Sequence, residues 1–318
     1  MDVGRTLLFV PGDRPERIRK ALASEADAVA VDLEDAVAAT AKDSARALTA
    51  EALTGLVPLR LGRPGPGVHI RVNALDTAEA EADLAAVRSL LGRARLDGLI
   101  VPKARSAEQI AGLDETLTSA ETEAGIQPGR LSLLPIVESA AGVLASAAVA
   151  SASPRVQTLL FGTLDLAAEL GVRPTAEGRE LLHARSQLVL AARAAGLPGP
   201  LDGPHAALDD EDGLVRSTLA AGELGFTGRV VLHPRQVAPV RRAFAPADAE
   251  LARAREVLAA YTDAVERGLG AVRLGDGTFV DRPVVTRAEA LLREADPELR
   301  ETAPQLREPD PDGTEDAR

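Results

Sequence analysis

The amino-acid sequence predicts an α/β fold: a (β/α)8 barrel followed by a C-terminal helical extension and a hairpin. Three observations carry that expectation. Short apolar runs recur along the first 234 residues with helix-patterned segments between them, the alternation of parallel α/β proteins. There are eight such runs, and 318 residues accommodate the roughly 250 that such a barrel uses, with an extension left over. Charged side chains gather at the C-terminal ends of the runs, where these barrels build their active sites.

The first run, Thr6–Pro11, follows an opening too short and too little apolar for a secretory signal. It leads into DRPERIRK (13–20), a helix start. The second run is Ala28–Glu34 and the third Val68–Val72, followed by a helical segment over Thr77–Arg93. The fourth, Gly98–Lys103, precedes a helix over Ser106–Ala124. The stretch from Leu131 to Pro154 holds the fifth run, Leu131–Glu138, and an Ala- and Ser-rich helix; Pro135 and Glu138 inside it argue against a membrane span. Val156–Gly162 is the sixth. The seventh, near Leu201, lies in a Pro- and Gly-rich patch and is the weakest; Gly228–Pro234 is the eighth. The barrel thus occupies residues 1–245. The extension, 246–296, holds a helix over Ala247–Gly268 and a hairpin over Ala271–Val285 turning at Asp276-Gly277. Residues 297–318, dominated by Pro, Asp, Glu and Arg, are expected to be disordered.

Composition excludes several classes of function. Lys and Arg number 36 against 48 Asp and Glu, a net charge of −12 that repels nucleic acid. Five Phe, one Tyr and no Trp leave little for base stacking. The absence of cysteine removes disulfides, thiolate nucleophiles, iron–sulfur centres and Cys-ligated zinc. Glycines form neither a P-loop nor a GxGxxG fingerprint. The chain reads as a soluble cytoplasmic protein that contacts neither nucleic acid nor membrane.

Strand parity then sorts the polar residues. In AVAVDLE, Ala30, Asp32 and Glu34 share one face and Val29, Val31 and Leu33 the other. The apolar face meets the helices, which leaves the carboxylates at the barrel mouth. By the same parity His69, Arg71 and Asn73 point inward. Lys103, Glu138 and Asp165 stand at or just beyond the next strand ends, with Asp202 and His233 in corresponding places. Glu138 and Asp165, from consecutive strands, repel each other unless one is protonated or a cation lies between them. An all-oxygen site of this kind suits Mg²⁺; the alternative pairs Glu138 with Lys103 and Asp165 with an arginine. Asp32 and Glu34 are candidates to orient metal-bound water or Lys103, or else to form a purely structural network. Arg71 suits a carboxylate or developing oxyanion, or else an ion pair with Asp32 or Glu34. Arg14, Arg17, Arg19 and Lys20 at a helix start could hold phosphates, or form a solvated surface.

These residues also carry a resemblance. RTLLFVPGDRPER (5–17), VDLEDAVAATAKDSAR (31–46), IRVN (70–73), VPK (101–103) and PIVESAAGV (135–143) occur in order. FGTLDLAAELG (161–171), LDGP (201–204), GFTGRVVLHPRQV (225–237) and DGTFVDRPVV (276–285) follow. Together they resemble the citrate lyase β-subunit-like branch of the HpcH/HpaI aldolase family, which includes malyl-CoA and citramalyl-CoA lyases. The resemblance implies a TIM barrel whose C-terminal extension caps a neighbouring subunit in a homotrimer or homohexamer. It places Mg²⁺ on Glu138 and Asp165, substrate on Arg71, and coenzyme A partly on the Arg14–Lys20 segment with Arg14, Arg17 and Lys20; Lys103 and Gly162 join Arg71 as substrate-binding candidates. Asp281 matches the family's lid aspartate, and Asp32 and Glu34 join the catalytic group. His205-Ala206 departs from the pattern where relatives vary with their substrates.

The implied reaction is reversible, Mg²⁺-dependent Claisen-type cleavage of a 3-hydroxy-3-carboxylic acyl-CoA thioester to acetyl-CoA and a 2-oxo acid. Rival readings are an aldolase for free 4-hydroxy-2-oxo acids, a thioesterase, a carrier-protein-dependent subunit of a larger lyase, and an inactive scaffold.

Overall fold

The structure, a computed structural model, describes residues 3–54 and 65–295. Two compact units divide the chain, Met1–Phe244 and Ala245–Arg318. The first begins with β1 (Thr6–Pro11), α1 (Pro15–Leu22), β2 (Ala28–Asp32), α2 (Lys42–Thr54), β3 (Gly67–Arg71) and α3 (Ala78–Leu90). It continues through β4 (Gly98–Val101), α4 (Ala107–Glu123), β5 (Ser132–Val137), α5 (Ala140–Ala150), β6 (Leu160–Phe161) and α6 (Thr163–Leu170). Then follow α7 (Leu182–Ala194), β7 (Leu201–Asp202), α8 (Glu211–Leu224), β8 (Gly228–Val231) and α9 (Val237–Phe244). Each strand pairs in parallel with the next, and β8 pairs with β1, so the sheet closes into an eight-stranded barrel.

Alternation along the strands builds two apolar layers. Leu7, Ala28, Ala30, Ile100, Leu134, Ile136, Leu160, Leu201 and Val230 fill the barrel interior. Leu8, Val10, Val29, Val31, Val68, Ile70, Leu99 and Val137 pack outward against the helices. Ser, Thr or Asp side chains cap several of these helices: Thr77, Ser106, Ser139 and Asp210 each accept a bond from a main-chain N–H three residues on. These short strand-to-helix connections hold the strand ends at fixed positions. No helix among the described residues is long and apolar enough to cross a membrane.

The inward parity of β3 ends at Arg71, its last strand residue. Asn73 therefore does not face the mouth: its side chain donates to Leu33 O and to Asp83 of α3. Asp202 is likewise turned outward. Its neighbour Leu201 fills the interior, and Asp202 is buried in ion pairs with Arg229 of β8 (2.5 Å) and Arg185 of α7 (3.1 Å).

The second unit has its own small core of Ala254, Val257, Leu274, Val280, Val285 and Ala288. It consists of α10 (Asp248–Glu266), an antiparallel pair β9 (Val272–Arg273) and β10 (Phe279–Val280), and α11 (Arg282–Ala295). Gly277, at φ +92°, makes the connecting turn. The hairpin is shorter than the Ala271–Val285 expected. Asp281 ends it by accepting from the Val284 N–H at 3.4 Å, and the chain becomes helical from Arg282. The expected disordered segment, 297–318, lies outside the described residues.

Candidate active site

Parity puts Asp32 and Arg71 side by side, since they are register partners on β2 and β3. Arg71 Nε and Nη2 donate to the two oxygens of Asp32 at 2.7 and 2.5 Å, a bidentate pair that is nearly inaccessible to water. Glu34 Oε2 lies 2.7 Å from Arg71 Nη1, off the hydrogen-bonding direction, so this contact is an ion pair rather than an aligned bond. Phe9 supports the guanidinium from below, its ring centroid 5.3 Å away. Glu34 Oε1 accepts from Lys103 Nζ at 3.0 Å. Burial raises the Glu34 carboxyl above its ordinary value against the pull of Arg71 and Lys103.

Lys103 is the one non-glycine residue of the described chain with positive φ, at 50°. That conformation costs on the order of 1–2 kcal/mol. It directs the Lys103 N–H to Glu138 Oε1 at 2.7 Å while the side chain reaches Glu34. Lys103 and Glu138 are thus joined through the main chain, not as the ion pair that was the alternative to a metal.

Glu138 follows β5 and is buried. Loss of hydration pushes its carboxyl up to about 8, with the charges of Glu34 and Asp165 adding to the effect. Asp165 is not on a strand end but in the first turn of α6, and it is exposed. Both carboxylates and Arg71 line a cavity of about 210 Å³ with Phe9, Gly162 and Leu232. A Cβ on Gly162 would lie 2.2 Å from Glu138 Cβ and 2.7 Å from its Oε2, so the missing side chain makes room for the carboxylate. The Gly162 N–H is committed to Val137 O.

This donor set fits Mg²⁺. Two carboxylates, one dehydrated and one open to solvent, share a cavity with space for water and an anionic ligand.

Arg17 and Lys20, both exposed on α1, line a neighbouring cavity of about 340 Å³ with His233 and Leu232. Arg14 stands at the start of α1, 3.7 Å from Asp13. Asp281 belongs to the second unit, where it is half-buried at the start of α11. Lys42 stands in the motif VDLEDAVAATAKDSAR, where the sequence gives it no role; its Nζ donates to Leu33 O, Glu34 O and Asn73 Oδ1 at 2.6–2.7 Å and pins the corner after β2. Its place after DLEDAV is the signal the sequence offers, but a lysine on a helix start is ordinarily solvated.

The HpcH/HpaI aldolase/citrate lyase family model matches residues 5–234. The chain belongs to the HpcH/HpaI aldolase/citrate lyase family. It is an enzyme of the carbon–carbon lyase class. Citrate lyase subunit beta of Leuconostoc mesenteroides subsp. cremoris is 35% identical over 291 residues, covering 92% of this chain and 93% of that protein. The L-malyl-CoA/β-methylmalyl-CoA lyase of Cereibacter sphaeroides is 34% identical, covering 92% of this chain and 94% of that lyase. Among solved structures, CitE from Mycobacterium tuberculosis in complex with magnesium, acetoacetate and coenzyme A superposes with a TM-score of 0.74 at 35% identity. That match covers 92% of this chain and 98% of CitE.

Proposed function

We propose that this family member is a Mg²⁺-dependent lyase that reversibly cleaves a 3-hydroxy-3-carboxylic acyl-CoA thioester of the malyl-CoA or citramalyl-CoA type. The products are acetyl-CoA and a 2-oxo acid. The observation that carries this reading is one cavity lined by a buried guanidinium, Arg71, and two carboxylates, Glu138 and Asp165, beside a second lined by Arg17 and Lys20. The relatives' names and the magnesium and coenzyme A bound to CitE support it.

In this reading Glu138 and Asp165 hold Mg²⁺, which when bound polarises the hydroxyl and carboxylate oxygens of the substrate. Arg71 faces the charge that develops on the hydroxyl oxygen as its proton passes to water at the barrel mouth. Asp32 fixes the guanidinium by two bonds, so no reorganisation is needed as charge appears. Lys103 ties Glu34 and Glu138 together and so sets their spacing. The carbon–carbon bond next to the thioester α-carbon breaks, and its electron pair passes to a thioester enolate. That carbon then takes a proton to give acetyl-CoA. Asp281 of a neighbouring subunit in a homotrimer or homohexamer supplies the proton. Arg14, Arg17 and Lys20 hold the coenzyme A phosphates.

Incubating the pure protein with Mg²⁺ and a panel of acyl-CoAs and 2-oxo acids, with mass detection of products, tests the proposal. Condensation of acetyl-CoA with a 2-oxo acid is expected. Turnover of free 4-hydroxy-2-oxo acids alone would replace it with the aldolase reading.

A further inference from the structure

The two cavities at the barrel mouth share two side chains, Phe9 and Leu232. Arg17, Lys20 and His233 lie on one side of this pair, and Arg71, Glu138 and Asp165 on the other. Phe9 belongs to β1 and Leu232 directly follows β8. These strands are the neighbours that close the barrel, with Leu8 and Val231 in register. The pair therefore stands at the closing seam, as a partition between a basic chamber and an acidic one.

The Phe9 ring and the Leu232 backbone are held in place. The Phe9 ring packs against the Arg71 guanidinium, which Asp32 fixes in turn. The Leu232 N–H donates to Gln236 Oε1 at 2.9 Å, and Gln236 Nε2 donates to His205 O at 3.0 Å. Gln236 is buried, and the residue before His205, Pro204, lines the acidic chamber. One amide thus clamps the loop after β8 to the loop after β7. Leu232 is nevertheless 40% exposed, a large apolar side chain presented to the mouth and not to the core.

We infer that Leu232, opposite Phe9, determines which acyl group the enzyme accepts at the thioester α-carbon. The inference rests on the acyl-CoA reading above. A thioester with its phosphates against Arg17 and Lys20 and its reacting end at Arg71 passes between Phe9 and Leu232, and Leu232 also lines the chamber that receives the reacting end and its α-carbon. An acetyl donor passes with only hydrogens on that carbon. A propionyl donor brings an extra methyl group toward the branched end of Leu232. Apolar pockets discriminate one methylene by about 10- to 200-fold, so a single leucine is enough to set a preference.

The test compares kcat/KM for acetyl-CoA and propionyl-CoA, condensed with glyoxylate in Mg²⁺, in wild type, Leu232→Ala and Leu232→Phe. The propionyl-to-acetyl ratio should rise about tenfold in Leu232→Ala and fall in Leu232→Phe. A ratio cancels any loss of folded protein. Calorimetric Kd values for the same two thioesters give a second reading that needs no turnover, with the same expected directions. Ratios that stay within about twofold of wild type in both variants overturn the role of Leu232 and leave the lyase reading standing. A wild-type protein that binds and converts neither thioester overturns both.

Discussion

His69 shows what burial does to a single residue. It sits inside the barrel in register with Ala30 and Gly98, and neither ring nitrogen has a protein partner. Burial lowers its pKa from 6.5 to about 4, opposed by the charge of Asp97. The unfolded chain therefore binds more protons between those two values. The stability associated with neutral His69 is present in full above pH 6.5 and is lost as the pH falls toward 4, by about 3 kcal/mol in all. Thermal unfolding followed from pH 7 to pH 4 should show a steeper decline for wild type than for His69→Leu. Parallel curves would mean that His69 is solvated or paired in solution. Arg71, two residues further along β3 toward the mouth, takes the other route for a buried cation: it stays charged and pairs with Asp32 and Glu34.

At the scale of elements, Gly162 links β6 to β5 through the space it leaves for Glu138. Gly162→Ala would place a methyl group 2.2 Å from Glu138 Cβ, forcing that side chain or the start of α6 to move. Overpacking of this kind costs about 1–3 kcal/mol of stability, and the displaced carboxylate should weaken Mg²⁺ binding at least tenfold by calorimetry. Unchanged affinity would show that Glu138 has room to spare. On α1, neutralising Arg14, Arg17 and Lys20 together should raise KM for the thioester about tenfold with kcat within about twofold, because remote contacts hold ground and transition states alike. An unaltered KM would make this face of α1 a solvated surface.

The alternation that places Asp32 and Arg71 inward is legible in sequence because a strand's period is 2 and the outward residues beside them, Val29, Val31, Val68 and Ile70, are apolar. It fails where the strand stops. Asn73 lies beyond β3 and obeys the loop, and Asp202 belongs to a two-residue strand whose register no pattern can fix. Lys42 escapes for another reason: its partners are mainly carbonyl oxygens, which carry no side-chain signature. Helix α11 is hidden by Pro283, which reads as a breaker although it is tolerated in a first turn.

For the whole molecule, the proposed lid aspartate lies in the second unit, so its role depends on assembly. Asn caps a helix as well as Asp does, so Asp281→Asn preserves the start of α11 and removes only the acid. This variant should lose cleavage and the exchange of acetyl-CoA methyl protons with deuterated water while still binding Mg²⁺. Mixed oligomers of Asp281→Asn and Glu138→Gln subunits should regain activity, since a hybrid interface joins an intact barrel to an intact lid. No rescue in verified mixed oligomers would place the proton donor within one chain, and full activity of Asp281→Asn would remove it from the reaction. The most direct measurement is mass analysis of the products of malyl-CoA with wild type, with wild type after exhaustive chelation, and with Glu138→Gln and Asp165→Asn. Wild type with Mg²⁺ should give acetyl-CoA and glyoxylate, and the other three samples should be slower by on the order of 10³ or more while remaining folded. Malate and free coenzyme A as products, or cleavage indifferent to chelation and to both substitutions, would contradict a metal-dependent lyase at the barrel mouth.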